Sequence, residues 1–101
     1  MAERRRNGAA ARAPLSRQAV ERACVELAAL VGRPVDAVIG MERDEGQSWQ
    51  LRAQVIEVER IPHSTDVLGC YALTVDGDGR LLGYRRERRY VRSRADDEEE
   101  R

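Results

Sequence analysis

Residues 49–92 read WQLRAQVIEVERIPHSTDVLGCYALTVDGDGRLLGYRRERRYVR, and this stretch decides the fold. It divides into three strand-like runs. In the first, Trp49, Leu51, Ala53 and Val55 fall on one face, and Gln50, Arg52 and Gln54 on the other. Ile56 and Val58 then take the opposite parity, which predicts a bulge or a change of burial near Val55–Ile56. In the second run Val67, Tyr71, Leu73 and Val75 alternate with Leu68, Cys70, Ala72 and Thr74. The second of those faces is small, and a helix is expected close against it. Asp76-Gly-Asp-Gly79 predicts a tight hairpin. Simple alternation in the last run places Leu82, Tyr84, Arg86, Arg88 and Tyr90 on one side. Leu81, Arg85, Glu87, Arg89 and Val91 fall on the other, so both faces turn polar toward the end, as suits an edge strand or a binding surface.

Upstream, Ser16 is placed as a helix N-cap, with Leu15 and Val20 set to form a hydrophobic staple across it. Ala19, Val20, Ala23, Cys24, Leu27, Leu30 and Val31 recur at helical spacing, Gly32 stands at the C-terminal cap and Pro34 prevents continuation. The helix is therefore expected over residues 16–31. Residues 34–39 read as a short turn or helical turn, and residues 38–43 as a short strand leading through Asp44-Glu-Gly-Gln-Ser48 into the long one. One helix followed by three or four antiparallel strands with short turns gives an α+β two-layer sandwich with a meander sheet. The element order also looks like that of the small PepSY-type module, an analogy of topology alone.

With 101 residues the chain is expected to hold one domain, over residues 14–93. Residues 1–13 (MAERRRNGAAARA) lack apolar periodicity and read as a flexible basic arm; residues 94–101 (RADDEEER) read as a charged tail. About 80 residues are left for a core, near the lower limit for a domain without staples. The chain has no Phe, so Val, Leu, Ile and Ala must supply that core. No apolar run approaches a membrane span and no signal peptide is evident, so a cytoplasmic location is expected. Net charge is zero, yet every basic residue is Arg, a planar forked donor suited to carboxylates and to stacking on aromatic rings. Positive charge gathers in Arg4–Arg6 and in residues 85–94, and Asp96–Glu100 is a block of acids.

Catalytic and metal chemistry find little purchase. Asp76-Gly-Asp-Gly79 begins like a calcium loop but lacks its later ligands, and turn chemistry explains each residue. His63, the only histidine, reads as an exposed loop residue; Cys24 and Cys70 read as small buried hydrophobes. No Gly-rich phosphate loop, metal cluster or triad is present, so a binding module without cofactor or metal is expected rather than an enzyme. The run Arg85-Arg-Glu-Arg-Arg-Tyr-Val-Arg-Ser-Arg94 suits three roles. It can pair with Glu57 and Glu59, dock an acidic protein, or bind nucleic acid as a regulator would, this last disfavoured by zero net charge and the acidic tail.

The connection Glu57-Val-Glu-Arg-Ile-Pro-His-Ser-Thr-Asp66 is the strongest candidate for a specific role. As a crossover, Ile61 anchors it, Pro62 fixes φ and Arg60 bridges to Asp66; a binding role is compatible with all three. This motif, together with Trp49, Thr65-Asp66-Val67-Leu68, Tyr71, Asp76-x-x-Gly79, Gly83-Tyr84-Arg85-Arg86 and Arg89-Tyr90-x-Arg92, resembles the gas vesicle synthesis protein O family (GvpO). The chain departs from the pattern at Cys70 and in its basic N-terminal arm. The resemblance implies a non-enzymatic accessory protein of gas vesicle formation, acting in shell nucleation or assembly by contacting the shell protein or other accessory proteins. By the same resemblance Trp49, Glu57, Arg60, Pro62, Asp66, Tyr71, Arg86, Tyr90 and Arg92 are the interaction residues. Strand alternation adds Arg88, on a face shared with Arg86 and Tyr90 that residues 96–100 are expected to cover weakly.

Overall fold

The computed structural model describes residues 15–94; the expected basic arm and the acids of the expected tail lie outside them. Helix α1 spans Arg17–Val31. Strands β1 (Val35–Arg43), β2 (Trp49–Val58), β3 (Val67–Val75) and β4 (Leu81–Val91) follow as an antiparallel meander in the order β1-β2-β3-β4. Single 3-10 turns sit at His63–Thr65 and Arg92–Arg94. The α+β expectation holds.

The helix starts where its capping chemistry places it. Ser16 is extended, its Oγ accepts the Ala19 N–H at 3.1 Å, and Leu15 is buried beside the partly buried Val20. At the other end Gly32, left-handed at φ 70°, returns its N–H to the Ala28 carbonyl. The buried stripe Ala19, Ala23, Leu27 packs on Leu51, Ala53, Val55, Tyr71, Leu73 and Val75. Burying a leucine such as Leu27 contributes roughly 1.5–3 kcal/mol.

The helix lies on the face of β3 opposite to the one expected. Its own alanines, not the small strand residues, permit the close approach. The clearest contact is at the β3–β4 turn, where a Cβ on Gly79 would stand 2.1 Å from the Ala19 carbonyl oxygen. Gly79 also has φ +85°, so two constraints require glycine there. The Asp76 carboxylate is occupied within this hairpin, accepting the N–H groups of Asp78 and Arg80 at 2.9 Å each. The small face of β3 instead carries a second cluster, Leu68, Cys70 and Tyr90 with Ile56. Among the described residues Arg88 lies across the Tyr90 ring, and the Tyr90 hydroxyl donates to Gln54.

Three local expectations are corrected. Strand β1 begins at Val35 rather than after a turn; the Pro34 carbonyl already accepts the Ile56 N–H. The inward parity of β2 does not change at Val55, because Glu57 continues it as a buried acid while Ile56 joins the opposite cluster. The irregularity comes later, between Ile56 and Val58. Finally, β4 does not alternate simply. Tyr71 faces Arg86 and its neighbour Cys70 faces Arg88, so a bulge at Glu87 turns Arg86 and Arg88 to opposite faces.

Candidate functional site

The end of the sheet where β2 passes to β3 is held by two buried carboxylates. Asp66 ends the connection and is fully buried. Its Oδ1 accepts the Arg60 main-chain N–H at 2.8 Å; its Oδ2 lies 3.3 Å from Arg92 Nη2 and 2.7 Å from His63 Nδ1. Its own backbone is fixed as well, with its N–H on the His63 carbonyl and its carbonyl taking the Arg92 N–H. The Arg60 amide, more than any other cause, holds the Asp66 carboxyl below the usual carboxylate range, against the opposing effect of burial. Arg92 reaches on to Asp36 with both Nη atoms at 3.2 Å, and Asp36 also accepts from Gln54 at 2.8 Å. The Arg92 hydrogen bond likewise lowers the Asp36 pKa. The start of β1, the end of β4 and the connection are thereby laced together.

Inside this lacing the connection is tightly turned. Thr65 binds the Pro62 carbonyl through both its N–H (3.0 Å) and its hydroxyl (2.7 Å), and the Ile61–Pro62 peptide is cis. Ile61, expected to anchor the connection, is instead 100% exposed at its apex. The expected Arg60–Asp66 bridge is made by the Arg60 backbone and not by its guanidinium. The cationic side chains at Asp66 are those of Arg92 and His63, both on Oδ2.

Glu57 forms the second node, on the helix side of the sheet. The Tyr71 hydroxyl donates to its Oε2 at 2.9 Å, while Arg86 Nη1 and Arg89 Nε each lie 3.0 Å from Oε1. Arg33 donates to the Glu57 main-chain carbonyl. Gly69 makes the space: a Cβ there would stand 2.8 Å from the Glu57 carboxyl carbon and 3.0 Å from the Tyr71 ring. Burial first, then the Glu57 hydrogen bond, pushes the Tyr71 phenol up. The Tyr71 ring also meets Tyr84, at a centroid distance of 6.3 Å.

Of the residues singled out in the sequence, the structure therefore gathers Glu57, Tyr71 and Arg86 in one node, and Asp66, Arg92 and the Arg60 amide in the other, with Pro62 in the turn between Ile61 and His63. It does not bring in Trp49, which lies at the opposite end of the sheet beneath the Arg43 guanidinium, 5.0 Å from its ring centroid. Arg88 and Tyr90 belong to the helix-free face. Sequence reading placed Arg89 in the run expected to pair with Glu57, as it does, but not among the interaction residues, and it missed Asp36, Arg33 and the exposure of Ile61. A bulge in β4 would have had to be recognised to single out Arg89, and a single exposed isoleucine leaves no pattern.

Among the described residues no helix is long and apolar enough to cross a membrane, and no group of His, Cys, Asp and Glu is arranged to hold a metal. Residues 2–96 match the family described as gas vesicle synthesis protein GvpO. The chain belongs to the GvpO family. Its similarity to the gas vesicle protein O of Streptomyces sp. (strain CB03234) is 42% identity over 74 residues, 73% of this chain and 57% of that protein. The gas vesicle protein O of Haloferax mediterranei is 31% identical over 57 residues, 56% of this chain and 41% of that protein. Gas vesicle protein O1 of Halobacterium salinarum is 39% identical over 49 residues, 48% and 40% of the two chains. The matched segment thus spans about half the length of these GvpO relatives. No solved structure matches, so the PepSY-type likeness rests on element order alone.

Proposed function

We propose that this GvpO chain is a non-enzymatic accessory protein of gas vesicle formation, working at the vesicle or its precursors in the cytoplasm through contacts with the shell protein or other accessory proteins. Its docking point is the β2–β3 connection. The observation that carries this reading is the contrast within one connection between Ile61, 100% exposed, and Asp66 at its end, fully buried and fastened to three partners. Buried charge is costly unless it is satisfied, and here it is used to hold a loop that shows a large apolar side chain to water. A pre-set knob loses little conformational entropy on binding. The implied counterpart is an apolar socket on a gas vesicle protein.

Against the nucleic-acid alternative, Tyr90, the tyrosine within its Arg-rich run, is only 6% exposed and lies beneath Arg88. Gas vesicle formation in a host lacking its own copy of the gene, restored by wild type or by Ile61→Asp, tests the proposal. The variant is expected to melt within about 0.5 kcal/mol of wild type, as exposed substitutions do, yet fail to restore vesicles. Normal vesicles from Ile61→Asp would remove Ile61 as the docking point.

A further inference from the structure

The Glu57 node contains one guanidinium more than its carboxylate requires. A single Arg pair neutralises a buried carboxylate, and the Tyr71 hydroxyl already satisfies part of its remaining hydrogen-bonding capacity. Yet both Arg86 and Arg89 converge on Oε1, with side chains 46% and 50% exposed. Each guanidinium has five N–H donors in a fixed fork, and only Arg86 Nη1 and Arg89 Nε reach Glu57. Next to the node, Tyr84 is 43% exposed and its ring meets Tyr71, whose hydroxyl binds Glu57. Two half-open forks carrying a net positive charge, bordered by an aromatic ring, have the composition of an interface hot spot for a carboxylate beside an apolar side chain.

We infer that this corner of the sheet, Arg86, Arg89 and Tyr84 over Glu57, is a receptor for an acidic peptide segment of a partner protein. One carboxylate of the segment completes the charge balance that Glu57 leaves open, and a neighbouring apolar side chain packs on Tyr84. A protein segment is favoured over a nucleic acid because only Tyr84 is open for stacking here, while Tyr71 is buried beneath it. This site is separate from Ile61: it uses the β4 face rather than the apex of the connection, so the two can fail independently.

The test is fluorescence anisotropy of the full chain with a labelled Glu-Glu-Leu-Glu-Glu peptide, a Gln-Gln-Leu-Gln-Gln control, and pyrophosphate and single-stranded DNA as competitors. Arg86→Gln and Arg89→Gln each leave Glu57 one guanidinium and the Tyr71 hydroxyl, so both variants are expected to stay folded by circular dichroism. Each is expected to weaken the acidic peptide roughly tenfold, as befits a lost charge-assisted hydrogen bond. Tyr84→Ala, which leaves the ion pairs untouched, is expected to weaken it by a smaller factor. Ile61→Asp is expected to bind the peptide like wild type. Equal affinity for the Glu and Gln peptides, an affinity indifferent to Arg86→Gln and Arg89→Gln, or tighter binding of pyrophosphate or DNA than of the peptide would each overturn the assignment.

Discussion

The two buried carboxylates at the end of the sheet have opposite stoichiometries. At Asp66, one guanidinium, Arg92, serves two acids, since Asp36 takes its Nη atoms as well. At Glu57, two guanidiniums serve one acid. Arg92 is only 24% exposed at its side chain, whereas Arg86 and Arg89 stand about half open. The first node turns inward, and its groups are spent on shape: it fixes the turn that shows Ile61. The second node is fixed from below by Gly69 and Tyr71 but offers its upper side to solvent. Similar ingredients therefore give a clasp in one place and a binding face in the other. What separates them is which charge is in excess and whether it can reach water.

Of the two nodes, the one at Asp66 is expected to matter more for stability. Replacing it with Ala strands the Arg60 amide and removes a partner from Arg92, and truncating one member of a buried ion pair is strongly destabilising. A fall in Tm of about 10 °C or more is expected by thermal melting. A change of only a degree or two would mean that the clasp does not hold the fold. At Glu57 the first arginine should matter little and the second a great deal. Arg86→Ala or Arg89→Ala alone is expected to cost about 1 kcal/mol or less, as a half-exposed pair does. The double variant leaves a buried carboxylate without a cation, and denaturant titration is expected to show a loss on the order of 3–5 kcal/mol. Strict additivity of the two single losses would contradict the shared-carboxylate geometry.

A smaller effect concerns acid. Asp66 and Asp36 both titrate below the ordinary carboxylate value in the fold, Asp66 chiefly through the Arg60 amide and Asp36 chiefly through Arg92. A lowered folded pKa means the stabilisation is fully present above the unfolded value of about 4 and is lost as pH falls through the folded values. Arg92 and His63 are the other charged or titratable groups facing Asp66, and their cationic forms also favour its ionised state. Melting curves from pH 6 down to pH 2 are expected to show Tm falling below about pH 4. Asp66→Asn should flatten that fall, and an equally steep fall in the variant would assign it to other acids.

Much of this architecture was legible in the sequence because it follows periodicity and caps. Ser16, Gly32 and the stripe through Ala19, Ala23 and Leu27 mark the helix without tertiary help. Alternation in residues 49–55 and 67–75 marks the inner strands. What alternation cannot show is a bulge, because one extra residue reverses every later side chain. The bulge at Glu87 is why Arg86 and Arg88 looked like neighbours and prove to face opposite ways. Glu57 read as a break in the apolar pattern for a related reason. It keeps the inward parity, and its charge is tolerated there only because Arg86, Arg89 and Tyr71 arrive from β3 and β4, which no local pattern displays. Ile61 misled in the other direction: an isoleucine in a loop is ordinarily an anchor, and only the closed network around Asp66 leaves it outside.

Placing a photo-cross-linking amino acid at position 61 in vesicle-forming cells, with position 18 on the exposed side of α1 as control, tests docking through the connection most directly. The result expected is an adduct between position 61 and another gas vesicle protein, identified by mass spectrometry and absent from position 18. No adduct at position 61 in cells that still form vesicles, or the same adducts from both positions, would contradict it.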